Sequence, residues 1–226
     1  MNVSKAIGQI IAIIRKDLLS EARTRDVALS VLVFALLVIV IFSFAFDPDS
    51  ETTVQVAPGI LWVSIVFAGV LSFNRSFVQE KEKGCLDGLK LCPIDKEIIY
   101  LGKMLGSLIF LLIVEVIVFA VFSVLYNVSL FQPSIILIAI LATVGFVSAG
   151  ILFSALSVNT KARDILLPIL FFPICAPLII AAVEATGMIL GGEAFGSISS
   201  WLQIMGAFDV IFIIVSLFVF EYAIEE

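Results

Sequence analysis

Histidine is absent from all 226 residues of this chain. That removes the commonest general base and the commonest side-chain ligand for metals and haem iron. Charge is also scarce: 14% of the residues are charged and 62% are hydrophobic, against roughly 25% and 45–50% in a soluble domain. The net charge of −6 leaves no basic patch of the kind that nucleic-acid phosphates need, so no nucleic-acid partner is expected. The three cysteines, Cys85, Cys92 and Cys175, have no metal-site spacing and cannot all pair. They read as ordinary thiols. There is no G-x-x-x-x-G-K-[ST] loop to hold a nucleotide, no H-E-x-x-H, and no Ser/Lys or paired-Asp catalytic set. What remains is an all-α, polytopic membrane protein, expected to be a single transmembrane domain over 1–226 and not an enzyme.

The leading segment carries Val3, Ile7, Ile10, Ile11, Ile14 and Leu18 at helical spacing, with Lys5, Gln9, Arg15 and Lys16 off that stripe. This predicts an amphipathic helix over 3–19 lying in the membrane interface, its basic side toward the lipid headgroups, and not a signal peptide. Six apolar runs follow, at about 28–46, 58–77, 102–126, 134–157, 165–183 and 201–220. Each suffices to cross about 30 Å of hydrocarbon. All 13 Lys and Arg residues fall before the first run, in the stretch from Arg75 to Lys103, or at Lys161 and Arg163. With positive charge on the cytoplasmic side, both termini are expected there. Trp62, Tyr126 and Trp201 at the outer boundary, and Tyr100 and Tyr222 at the inner one, read as an aromatic belt.

Three features within the spans carry chemistry or mechanics. Pro168, Pro173 and Pro177 in span five remove backbone donors. They imply either simple kinked packing or a hinge whose outer end turns back near 187–196. Gly102-x-x-x-Gly106, and Gly145, Ala149, Gly150 and Ser154, suit close helix contacts. Glu115, Glu184 and Asp209 lie in the spans or at their edge with no cation assigned nearby, and an intramembrane acid is a functional candidate by default. Glu115 and Asp209 fall at similar depth, so they are expected either to share a polar site or to be protonated acids bonded between helices.

The longest polar interruption is 79–97, where Leu86, Leu89 and Leu91 sit among Asp87, Lys90 and Asp95, with Gly84 and Pro93 as start and stop signals. A short helix here would have one apolar edge and one charged face. That suits docking in the groove of a soluble partner.

The run Val56-Ala57-Pro58-Gly59-Ile60-Leu61-Trp62-Val63, followed by Phe77, Glu80 and Gly84-Cys85-Leu86-Asp87-x-Leu89-x-Leu91-x-Pro93, resembles the CcmB family of haem-exporter membrane subunits. Leu166-Leu167-Pro168-Ile169-Leu170-x-x-Pro173-Ile174-x-x-Pro177-Leu178 extends the resemblance through span five, and it thins out in span six. Asp87 stands where glutamate is usual, and Cys92 where an aliphatic residue is common. The resemblance implies an ABC-2-type permease-like fold in the bacterial inner membrane. It implies an ATPase subunit (CcmA-like) docking on Glu80, Gly84, Leu86, Asp87, Leu89, Leu91 and Pro93, membrane partners like CcmC and CcmD, and a periplasmic haem chaperone served indirectly. On that reading ATP is bound by the partner subunit and haem is the species handled. This chain itself, without histidine, binds no cofactor and contributes mechanical coupling. A proton-coupled secondary transporter using Glu115 and Asp209, and a non-transporting scaffold, are the alternatives.

Overall fold

The computed structural model describes residues 3–46, 51–82, 84–85, 88, 92, 94–157 and 163–225. Its helices are α1 (Val3–Thr24), α2 (Asp26–Ala45), α3 (Glu51–Glu82), α4 (Lys96–Leu125), α5 (Pro133–Ser157), α6 (Arg163–Leu190) and α7 (Ser199–Glu225), with a 3₁₀ turn at Phe195–Ile198 before the last. No strand occurs among the described residues. The six helices α2 to α7 are long and apolar enough to cross a membrane.

Four spans run five or more residues beyond their apolar stretches, α4 starting at Lys96 and α7 ending at Glu225 among them. The run at 58–77 belongs to a helix that begins at Glu51, so Pro58 lies inside it instead of opening it. Likewise α6 continues beyond 183 to Leu190 as one helix containing Pro168, Pro173 and Pro177. Apolar composition marks where lipid begins, whereas a helix satisfies its own backbone groups and can extend into water. What ends α6 is Gly192, at φ +84. The N–H of Glu193 donates to Met188 O and that of Gly192 to Ile189 O, at 3.0 and 3.1 Å. This pair of bonds is a Schellman cap, which needs a left-handed residue where glycine stands.

Helix α5 is the centre of the bundle, packed against α3, α4, α6 and α7. Glycines let it approach so closely. The Phe146 ring of α5 sits over Gly69 of α3, and the Phe73 ring of α3 sits over Gly150 of α5. Both rings then meet Phe171 of α6, with centroids 4.9 Å (Phe146) and 6.1 Å (Phe73) away. Each glycine thus provides the floor for the other helix's aromatic ring.

The Gly102-x-x-x-Gly106 pair does not join two spans. It seats α1: a Cβ on Gly102 would stand 2.8 Å from Ile13 Cβ, and one on Gly106 would stand 3.7 Å from Asp17 Cβ. Beside this seat, buried Lys103 places its Nζ 3.9 Å from Asp17 Oδ2. Helices α1 and α2 are separated by Arg25 alone, in the left-handed region at φ 57. Across that elbow, the Ala28 N–H donates to Glu21 Oε1 at 2.6 Å, so a side chain of one helix satisfies an open donor of the next.

The aromatic belt needs correction. Trp62 and Tyr126 are each 3% exposed and Tyr100 is fully buried. Trp62 Nε1 donates to Thr186 Oγ1 at 3.0 Å, and the Tyr126 hydroxyl donates to Ile39 O at 3.3 Å. Their polar tips find partners on neighbouring helices, so they tie the bundle together instead of facing headgroups. Of the five residues, Tyr222 and, in part, Trp201 keep an exposed ring.

Candidate functional site

Between α4, α5 and α7 lies a polar layer inside the apolar bundle. Glu115 projects from α4 and is 3% exposed; Asp209 projects from α7 and is 6% exposed. The Thr143 hydroxyl of α5 donates to Glu115 Oε1. Two residues on, Gly145 leaves the space that the Asp209 carboxyl fills, since a Cβ there would meet Asp209 Oδ1 and Phe208 Cδ1. Both acids therefore come to the same short stretch of α5, one on a hydroxyl and one on bare backbone. Each of the three side chains stands ten residues from one end of its helix, α4 ending at Leu125, α5 starting at Pro133 and α7 at Ser199. At a rise of about 1.5 Å per residue this is roughly 15 Å, near the middle of a bilayer.

A second polar junction lies further along the same three helices. The Tyr100 hydroxyl of α4 and the Ser216 hydroxyl of α7 both donate to Ser148 O of α5, at 3.2 and 3.4 Å. Neither Thr143 nor this trio is evident from sequence. The available signal is a polar residue recurring at matching depth in otherwise apolar helices.

Glu184 stands apart from the two buried acids. It is exposed, and with Gln55, Pro58, Gly187, Met188 and Glu193 it lines a groove of about 330 Å³ between α3 and α6. Pro168, Pro173 and Pro177 lie along α6.

The polar loop is described in part. Glu80 lies in the last turns of α3. Gly84, at φ +67, begins a helical turn in which the Gly88 N–H donates to Gly84 O at 3.1 Å. Gly84, Cys85, Gly88 and Cys92 are exposed. Leu86, Asp87, Leu89, Leu91 and Pro93 lie outside the described residues. Helix α4 starts at Lys96, after Asp95 in an extended conformation. No group of three or more His, Cys, Asp or Glu able to hold a metal exists among the described residues.

Comparison with known proteins agrees over nearly the whole chain. The family model described as "CcmB protein" matches residues 8–226. A heme exporter protein B of Bradyrhizobium diazoefficiens is 27% identical over 188 residues, covering 82% of this chain and 85% of that protein. The protein of the same name from Rhodobacter capsulatus is 31% identical over 156 residues, 68% and 71% of the two chains. That of Escherichia coli K12 is 28% identical over 181 residues, 77% and 78% of the two.

Proposed function

The chain belongs to the CcmB protein family, and from that premise we propose that it is the membrane permease subunit of an ABC-type haem exporter serving c-type cytochrome assembly. The family match over 8–226 carries the reading. The six membrane-length helices and a polar connection between α3 and α4 support it. The chain is a transporter component that leaves ATP hydrolysis to a CcmA-like subunit, which docks on 80–93. The exposed positions Gly84, Cys85 and Gly88, in the connection between α3 and α4, support docking there. Membrane partners like CcmC and CcmD, and a periplasmic haem chaperone served indirectly, complete the assembly in a bacterial inner membrane, with both termini of this chain cytoplasmic.

Work done on the loop has a direct way into the bundle, because the loop leads into α4 and α4 carries both the α1 seat and Glu115. Pro168, Pro173 and Pro177 give α6 three places where a missing backbone donor eases bending. This mechanical role fits a chain without histidine, and the subunit purified alone should carry no stoichiometric haem.

The test is the double change Leu86→Asp and Leu89→Asp. It should leave the six helices inserted and abolish copurification of the ATPase. Undiminished copurification, with insertion verified, would remove the loop from the docking surface.

A further inference from the structure

Burying a carboxyl at mid-bilayer depth leaves three choices: pair the charge, hydrate it, or hold a proton on it. Pairing fails on the sequence itself. Helices α5 and α7 contain no Lys or Arg, and α4 contains two, Lys96 and Lys103. Lys103 is twelve residues from Glu115, about 18 Å along the helix, and its Nζ lies beside Asp17. The cations on the other packed elements lie away from the pair: Arg75 and Lys81 in the last eight residues of α3, Arg163 at the first residue of α6, and Lys5, Arg15, Lys16 and Arg23 on α1, which seats at Gly102 and Gly106. The remaining titratable groups near the three helices, among them Tyr100 on α4, Cys175 on α6 and Glu221 on α7, are neutral or acidic. Burial cuts both acids off from bulk water, Glu115 being 3% and Asp209 6% exposed, and neither Glu115 Oε2 nor Asp209 Oδ1 has a hydrogen-bond partner among the described residues to take its place.

We propose that Glu115 and Asp209, set on either side of α5 at Thr143 and Gly145, are a pair of proton-binding sites, both occupied when the helices pack as they do here. This goes beyond the permease assignment and does not depend on it. Deprotonating either acid in place would strand a bare charge among apolar side chains. The charged form therefore requires water to enter, and water can enter only if α5 parts from α4 at Glu115 or from α7 at Asp209. Proton occupancy and closure of these two helix interfaces are thus linked, and the linkage is reciprocal. Whatever opens α5 releases a proton, and whatever removes the proton favours opening.

N,N′-dicyclohexylcarbodiimide is a suitable probe. It is apolar, it enters membranes, and it adds to a carboxyl that still carries its proton, the proton moving to a carbodiimide nitrogen as the acid oxygen bonds the central carbon. The full-length chain in native membranes is treated near neutral pH and mapped by peptide mass, alongside Glu115→Gln and Asp209→Asn. Infrared spectra of the same three proteins are recorded in the carboxylic-acid region, which does not depend on reagent access. Adducts on Glu115 and Asp209, each lost in its own variant, are the expected labelling result. The expected spectrum has a protonated-carboxyl band in the parent that each substitution diminishes. An acid band without adducts still places protons on the pair, the reagent having failed to reach it. If the acid band is unchanged by both substitutions, and carboxylate bands fall instead, the proposal is wrong.

Discussion

Replacing Gly150 with alanine tests the interlock between α3, α5 and α6. A Cβ at this position would stand 2.9 Å from Phe73 Cζ and 2.5 Å from Cδ2. An isolated ring could swing aside, but Phe73 is 1% exposed and is held by Phe146 and Phe171, with centroids 5.4 and 6.1 Å away. The cost should therefore fall in the upper part of the overpacking range, about 2–3 kcal/mol. Phe73→Leu removes the obstructing ring edge and alone should cost about 1 kcal/mol. If the two positions were independent, the double variant would lose about 3–4 kcal/mol; because they collide, it should lose about 1–2, a coupling of roughly 2 kcal/mol. Cys175 is fully buried, while Cys85 and Cys92 are exposed. In a Cys85→Ser, Cys92→Ser background, its reaction with a fluorogenic maleimide on heating reports unfolding. At about 2–4 °C per kcal/mol for a chain of this length, Gly150→Ala should lower the midpoint by about 5–10 °C. A midpoint unmoved by Gly150→Ala, or strict additivity in the double variant, would refute the interlock.

The same thermal assay tests the Trp62–Thr186 bond. Thr186→Ser keeps the acceptor oxygen and loses one methyl, about 1 kcal/mol, whereas Thr186→Val leaves a buried indole N–H without its acceptor and should cost about 1–3 kcal/mol. A milder effect for Thr186→Val would contradict that assignment. At the α1–α2 elbow, burial pushes the Glu21 carboxyl above the usual carboxylate range, the Ala28 N–H draws it back, and Asp26 adds to the rise. A raised folded value means the protonated form suits the fold, so this stabilising contribution is present at acid pH and lost as pH rises through that value. Glu21→Gln keeps an acceptor for Ala28 and should raise the midpoint at neutral pH while leaving it unchanged in acid; equal effects at both would argue against it. Orientation is checked with an impermeant thiol reagent on intact cells. A cysteine at Ser197 should label and one at Ser4 should not, and labelling at Ser4 would invert the topology.

The number and order of the spanning helices were legible because an apolar run of about twenty residues matches the thickness of a bilayer and little else. Their ends were less so: at Glu51 and Leu190 the helix outlasts its apolar stretch, although Gly191-Gly192 does signal where α6 stops. The two acids could be picked out since an ionisable residue in an apolar run is conspicuous. Their common partner helix could not, because Thr143 and Gly145 are unremarkable residues whose role arises only when α4 and α7 reach opposite sides of α5. Trp62, Tyr100 and Tyr126 misled for a related reason. Position near the end of a span suggests the interface, but an acceptor on a neighbouring helix decides where the ring turns. The Gly102-x-x-x-Gly106 pair announced close packing without naming the packed element, and that element is the amphipathic α1.

Arg25 makes the first two helices a crank with one permitted phase. On one side of it Ile13 must point at Gly102; on the other, Val27, Val31, Ala35 and Ile39 must all point into the bundle. Inserting or deleting a single residue at the elbow would keep both helices and both apolar stripes, yet turn one against the other by about 100°. Side chains along this stretch can be exchanged for others of similar size, while its length in residues cannot change by even one without unseating α1.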